Sequence, residues 1–253
     1  MFDEKTVQKL GFYVYLLKDP LDKSPFYVGK GQKNRIFDHI NCVIENETKS
    51  DKIEKIRRIT GRKKNNKVEF LIIRHGLTEK ESYLIEASII DFLEYYDHGL
   101  TNIQGGHNSI EKGLMIMDEI IRYYNAQPLK SMKNDCIIIN INKNYKRGID
   151  PLGIYNATRA CWSIIKNRLI NKNGDLLIKY VLSEYNSLIV EVFEVKKWYE
   201  KERGFGKNAK NYGKRKIGMC FEGKVAPEYI RKLYINKSII KKKGEANVIK
   251  FKL

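Results

Sequence analysis

The sequence predicts an α+β protein in two parts. Short aromatic and β-branched runs at residues 11–17, 25–29 and 68–73 are separated by charged, helix-patterned stretches. A helix-patterned segment then spans residues 111–132. Beyond it, further short apolar runs recur with hairpin signals between them. Residues 1–110 are therefore expected to hold a small three-stranded antiparallel sheet flanked by helices. Residues 111–132 form a helical linker, and residues 133–253 an α+β domain with a mainly antiparallel sheet, a small barrel being the alternative.

Gly11–Leu17 is aromatic and aliphatic throughout and reads as a buried strand. Asp19-Pro20 and Asp22 signal a turn, and Pro25–Gly29 returns as the antiparallel partner. Lys30-Gly31-Gln32 reads as a glycine-containing break. A helix is expected from about Asn34 to Glu45, with Ile36, Ile40 and Val43 on its apolar side. Lys52–Ile59 is a second helical segment, Gly61–Asn66 a loop, and Val68–Ile73 the third strand. Thr78 with Glu81 makes a capping box that opens a long helix to about Tyr95. Leu100–Ile103 is a short extended piece ahead of a turn at Gly105-Gly106. Ile110–Tyr124 reads as one helix, with Leu114, Met117, Ile120, Ile121 and Tyr124 on one face.

In the second part, Cys136–Ile141, Asp175–Glu184, Leu188–Val195, Ile217–Phe221 and Val248–Phe251 read as strands. The second and third are joined as a hairpin at Tyr185-Asn186-Ser187. Asn156–Asn167 and Pro227–Tyr234 read as helices, and the glycine- and lysine-rich Gly204–Gly213 as a mobile loop.

The 253 residues carry 48 Lys and Arg against 30 Asp and Glu, a net charge of +18. A field of that sign attracts nucleic acid or an anionic membrane. Sixteen tyrosines accompany it and can stack on bases, so DNA is the expected partner; the alternative is that many lysines only solubilise. No apolar run approaches the roughly 20 residues of a membrane span. Cys42, Cys136, Cys161 and Cys220 form no Cys-x-x-Cys pair, and scattered free cysteines fit a reducing compartment. Met1-Phe2-Asp3-Glu4-Lys5 lacks the basic start and apolar core of a secretory signal. A cytoplasmic location is expected.

The residues with chemical promise lie in the first part. Tyr15 and Tyr27 fall on adjacent strands and can meet across the hairpin. A phenol titrates near pH 10, and a nearby cation makes it a usable base. Alone, the two also read as ordinary core aromatics. Arg35 and His39, four residues apart, share a helix face. Arg35 can grip a phosphate through its fork, and His39 can bind a phosphate oxygen or relay a proton; a solvated helix face is the alternative. Glu86 falls within the apolar stripe of its helix, one turn from Ile90. A carboxylate there is costly unless something pairs with it. Mg²⁺ held by one carboxylate, waters and a substrate phosphate would do so; so would an ion pair with a nearby Lys or Arg. Asn102 can fix a tyrosine or a phosphate, or serve only the turn before Gly105-Gly106. Lys30 follows the second strand directly and can support a phenol or a phosphate.

Tyr13-Val14-Tyr15, an eleven-residue spacer and Tyr27-Val28-Gly29 resemble the signature of the GIY-YIG nucleases. The resemblance covers about residues 11–106 and continues through Arg35, His39, Glu86 and Asn102 in the family's order. The run Tyr27-Val28-Gly29-Lys30-Gly31-Gln32-Lys33-Asn34-Arg35 is similar to the branch that includes the LEM-domain nucleases. Tyr13 stands where the first glycine of the family name would be. The resemblance implies a DNA endonuclease using Mg²⁺ or Mn²⁺, with Tyr15, Tyr27, Arg35, His39, Glu86 and Asn102 at its site. In the second part, Arg159, Trp162, Lys166 and Arg168 are expected on one helix. With Trp198, Tyr199 and the Lys201–Lys216 loop they make a basic, aromatic surface suited to gripping DNA. The alternative is that both tryptophans are core anchors.

Overall fold

The computed structural model describes residues 1–38, 50–62, 67–103, 105–133, 135–145, 148–202, 217–240 and 248–252. The chain divides into two compact units, Met1–Leu114 and Met115–Leu253.

In the first unit, α1 (Glu4–Leu10) starts on Asp3, whose carboxylate accepts the Thr6 N–H, and stops at Gly11. Strands β1 (Phe12–Lys18), β2 (Pro25–Gln32) and β3 (Glu69–Leu77) form an antiparallel sheet in the order β2-β1-β3. Helices α2 (Asp51–Thr60) and α3 (Glu79–Tyr95) flank it, as expected. Both halves of the Thr78–Glu81 capping box are made. Strand alternation sorts the core. Tyr13, Tyr15 and Leu17 cluster with Leu10 of α1 and with Ile56 and Ile59 of α2. Val14 and Val28 cluster with Ile90 and Leu93 of α3. The β1–β2 turn is tied to the end of α2, because buried Asp19 accepts two hydrogen bonds from Arg62, at 2.7 and 3.0 Å, with Lys55 3.5 Å away.

Two local expectations are corrected here. Lys30-Gly31-Gln32 is not a break: β2 continues through it, and Gly31 pairs with Tyr13. Glycine suits the position, since a Cβ at 31 would stand 3.0 Å from the Tyr13 ring and hydroxyl, a tight contact. Arg35–Phe37 forms a single 3₁₀ turn. The remainder of the helix expected to Glu45, and His39 with it, lies outside the described residues. The helix expected over Ile110–Tyr124 is two pieces, α4 (Ser109–Lys112) and α5 (Met117–Asn125). Gly113 interrupts it by packing on α3, where a Cβ would come within 2.2 Å of Asp91 Oδ2, which also accepts the Leu114 N–H at 3.4 Å.

The second unit is built on a mixed, mostly antiparallel sheet. Its strands are β4 (Gln127–Pro128), β5 (Cys136–Asn140), β6 (Tyr180–Tyr185), β7 (Leu188–Glu202), β8 (Ile217–Val225), β9 (Lys237–Ser238) and β10 (Ile249–Lys250). The order is β10-β5-β6-β7-β9-β4, with β8 also on β7. Only β5–β6 and β4–β9 run parallel among the described strands. The β6–β7 hairpin turns on Asn186 and Ser187, both left-handed, as a two-residue loop requires. Helix α7 (Glu228–Tyr234) buries Ile230 and Tyr234 against this sheet.

The helix expected over Asn156–Asn167 is corrected. Helix α6 spans Pro151–Arg159, Trp162 then exchanges backbone hydrogen bonds with Met219 of β8, and Lys166–Arg168 is a separate 3₁₀ turn. Sheet pairing overrides helix propensity there. It also sets Cys161 beside Cys220, Cα atoms 4.6 Å apart, in a disulfide. The expectation of free cysteines therefore fails for this pair; Cys136 is free and buried, and Cys42 lies outside the described residues. No helix among the described residues is long and apolar enough to cross a membrane.

Candidate active site

β2 is an outer strand, and its outward backbone groups recur every second residue. Three other side chains or segments take them up. Phe26 O accepts from Thr101 N at 2.7 Å. Val28 N donates to Asn102 Oδ1 at 3.1 Å, and Val28 O accepts from Asn102 Nδ2 at 2.9 Å. Lys30 N donates to Glu86 Oε1 at 3.0 Å. The edge of the Tyr27-Val28-Gly29 strand thus carries Glu86 and Asn102 at fixed places. Asn102 acts as a substitute strand. Its amide is engaged with Val28 rather than with a tyrosine, which corrects the first of the roles expected for it.

Tyr15 and Tyr27 lie with ring centroids 6.4 Å apart. Gly29 makes this possible: a Cβ there would come within 2.7 Å of Tyr15 Oη and 2.8 Å of the Tyr27 ring. Tyr15 is 1% exposed, whereas half-buried Tyr27 lines a cavity of about 610 Å³ together with Lys52, Tyr83, Glu86, Asn102 and His107. Burial pushes both phenols above their ordinary pKa, Tyr15 the further, and the Glu86 charge adds to the rise in each. The Arg35 guanidinium opposes it at both.

Burial likewise raises the Glu86 carboxyl, offset by the Lys30 charge, the Lys30 N–H and the Arg35 charge. One positive charge therefore acts on both phenols and on the carboxylate. The Arg35 guanidinium itself is exposed and makes no hydrogen bond or ion pair among the described residues.

Sequence reasoning missed Lys52, whose ammonium lies 4.4 Å from the Tyr27 ring centre, and Tyr83, which holds Lys30 Nζ at 3.7 Å. It also missed His107, 5.9 Å from Tyr83 ring to ring. Tyr83 was open to detection, since it precedes Glu86 by three residues and shares its helix face. Lys52 carries no signal that sets it apart from the lysines around it.

Among the described residues no three His, Cys, Asp or Glu side chains converge on a metal position. Glu86 does fit Mg²⁺, which needs only one or two carboxylates beside waters and phosphate oxygens. Its Oε2 accepts no hydrogen bond among the described residues.

The DNA-contacting residues expected in the second unit do not form one helix face. Arg159 donates to Tyr199 Oη at 3.1 Å, and Lys166 is exposed on its own turn. Trp198 is 4% exposed and donates its indole N–H to Ile178 O at 3.0 Å. It is a core anchor, and the expectation that it contacts nucleic acid is corrected.

The three-stranded antiparallel sheet, in the order β2-β1-β3, is the one that the resemblance to the GIY-YIG nucleases led us to expect. Residues 15–135 match the family model described as the LEM-3-like GIY-YIG domain. The match runs past residue 106, where the resemblance seen in the sequence stopped, and takes in α4 and α5. No curated protein and no solved structure matches the chain.

Proposed function

We propose that the protein is a metal-dependent endonuclease that hydrolyses DNA phosphodiester bonds. What supports this reading is one set of neighbours: Tyr27 and Glu86 on a single cavity, Tyr15 behind them, and Arg35, which has no hydrogen bond or ion pair among the described residues and whose charge acts on all three. Arg35 holds the scissile phosphate by its fork, and Lys30 and Lys52 add positive charge nearby. The tyrosine pair accepts the proton of the attacking water, which meets Tyr27 first because Tyr27 faces the cavity. Arg35 stabilises the charge that builds on the non-bridging oxygens. Asn102 keeps Val28, and so both phenols, in register. Glu86 would hold Mg²⁺ or Mn²⁺, which supplies Lewis-acid stabilisation of the same charge. The second unit supplies affinity for DNA.

Purified protein, incubated with DNA and Mg²⁺, is expected to cut. Arg35→Ala and Glu86→Ala should each lower the rate by about 10²–10³-fold, as removal of a transition-state contact does. If the parent leaves duplex, branched, single-stranded and modified DNA intact, the enzyme reading fails and a silent DNA-binding fold replaces it. Cleavage confined to branched DNA would make it a structure-selective repair nuclease. Parental rates in Glu86→Ala would remove the metal assignment.

A further inference from the structure

We propose that Tyr13 is a positioning residue for Arg35. The proposal rests on the nuclease reading for its kinetic readout, and on geometry for its substance. Tyr13 is fully buried, with its ring laid over Gly31. Its hydroxyl makes two hydrogen bonds: Oη donates to Lys33 O at 3.0 Å and accepts from Ile36 N at 3.1 Å. Those two groups lie on either side of Asn34-Arg35, so one phenol closes the turn that carries the guanidinium.

The turn is one that needs holding. Lys33 sits at φ +54°, a left-handed conformation that a non-glycine residue adopts rarely. A second anchor works from the N-terminus. Asn34 Oδ1 accepts from Phe2 N at 2.8 Å, and Asn34 Nδ2 donates to Phe2 O at 3.4 Å. The Phe2 ring packs edge-on against both Tyr13 and Phe37.

The Arg35 guanidinium has no described partner of its own, so the turn's backbone is what aims it. A two-bond grip on phosphate requires that aim, and small misplacements are costly. A glycine at position 13 would supply neither hydrogen bond. The tyrosine at that position is thus a brace for the phosphate clamp.

Tyr13→Phe keeps the ring and removes the hydroxyl. Its kcat for DNA cleavage should fall about 10- to 100-fold, the scale of an ångström-level misplacement, with KM within about twofold. In an Arg35→Ala background the same substitution should change kcat by less than about twofold, since the two act as one unit. Hydrogen exchange of the Ile36 amide should quicken at least about tenfold, with β1 and β3 amides unchanged. An unaltered kcat, or an equal loss in both backgrounds, overturns the proposal. If the parent cuts no DNA, the nuclease reading falls and the brace is judged separately. Rapid exchange confined to residues 33–36, with DNA affinity lowered only when Arg35 is present, sustains it. Unchanged Ile36 protection refutes it.

Discussion

Glu86 is half-buried, and burial is the largest influence on it; its carboxyl is therefore raised. Asp19 is buried more deeply, yet the Arg62 hydrogen bonds hold its carboxyl below the usual range. The signs of their contributions to stability differ accordingly. The raised Glu86 binds more protons folded than unfolded, so its favourable contribution is complete below the unfolded pKa and is lost as pH rises through the folded one. Glu86→Gln should thus raise Tm at pH 7 by about 1–3 °C while lowering the cleavage rate no more than Glu86→Ala does. Calorimetry at pH 7 and pH 4 checks this, the gain shrinking at pH 4; a lower Tm at pH 7 would refute it. The lowered Asp19 contributes above its unfolded pKa and loses that contribution as pH falls through the folded one. Arg62→Ala should lower stability at pH 7, and by less below pH 4, as thermal unfolding at the two pH values would read. An equal loss at both pH values would mean that Asp19 is not the partner that matters. The tyrosines give a kinetic counterpart. Both phenols lie above their ordinary pKa, so at neutral pH almost all are protonated, and the rate should climb about tenfold per pH unit to pH 9 or beyond. Tyr27→Phe should flatten that slope. A plateau near pH 7 in the parent would assign the proton transfer to another group.

Strands and caps carry their own local signals, which is why β1, β2, β3 and the Thr78–Glu81 start of α3 were readable from residues alone. Chain segments that owe their shape to a distant partner were not. Nothing local announces that Trp162 leaves the helix to pair with Met219, or that β2 continues through Gly31 to pair with Tyr13. The site divides the same way. Glu86 stood out as a charge in an apolar stripe, and Tyr15 and Tyr27 by their spacing. The work of Asn102 on Val28 depends on β2 being an outer strand, which only the sheet order reveals. Gly29 makes the dependence on β2 testable. Its backbone is ordinary strand, so alanine there is conformationally tolerated, but the Cβ would meet both phenols below 3.0 Å. Gly29→Ala should therefore fold and yet lose about 10²-fold in rate through displaced phenols. Alanine at Gly105, where a Cβ meets nothing within 4 Å, is the control and should retain most activity. Equal activity in the two variants would mean that the phenols tolerate displacement, and would weaken their role in proton transfer.

Charge is distributed very unequally between the two units. Residues 1–114 hold 19 Lys and Arg against 17 Asp and Glu, a net +2, whereas residues 115–253 hold 29 against 13, a net +16. The unit that holds the proposed site is nearly neutral, and the other carries almost all of the net positive charge. Phosphate contacts release condensed counterions, so affinity should follow charge in the second unit and catalysis the residues of the first. For the full chain, log K against log salt should be linear and steep, about −0.9 for each phosphate neutralised. Lys166→Glu with Lys197→Glu, both exposed on the second unit, should weaken binding and reduce the slope by about 1 per lost contact, with kcat at saturating DNA retained. Arg35→Ala should do the reverse, lowering kcat with the slope changed by about 1 at most, since it removes one contact. Fluorescence anisotropy across a salt series, beside saturating-substrate kinetics on the same variants, separates the two effects. An affinity indifferent to salt, or a slope set wholly by residues of the first unit, would break the division of labour: the positive field of the second unit would then serve something other than the substrate.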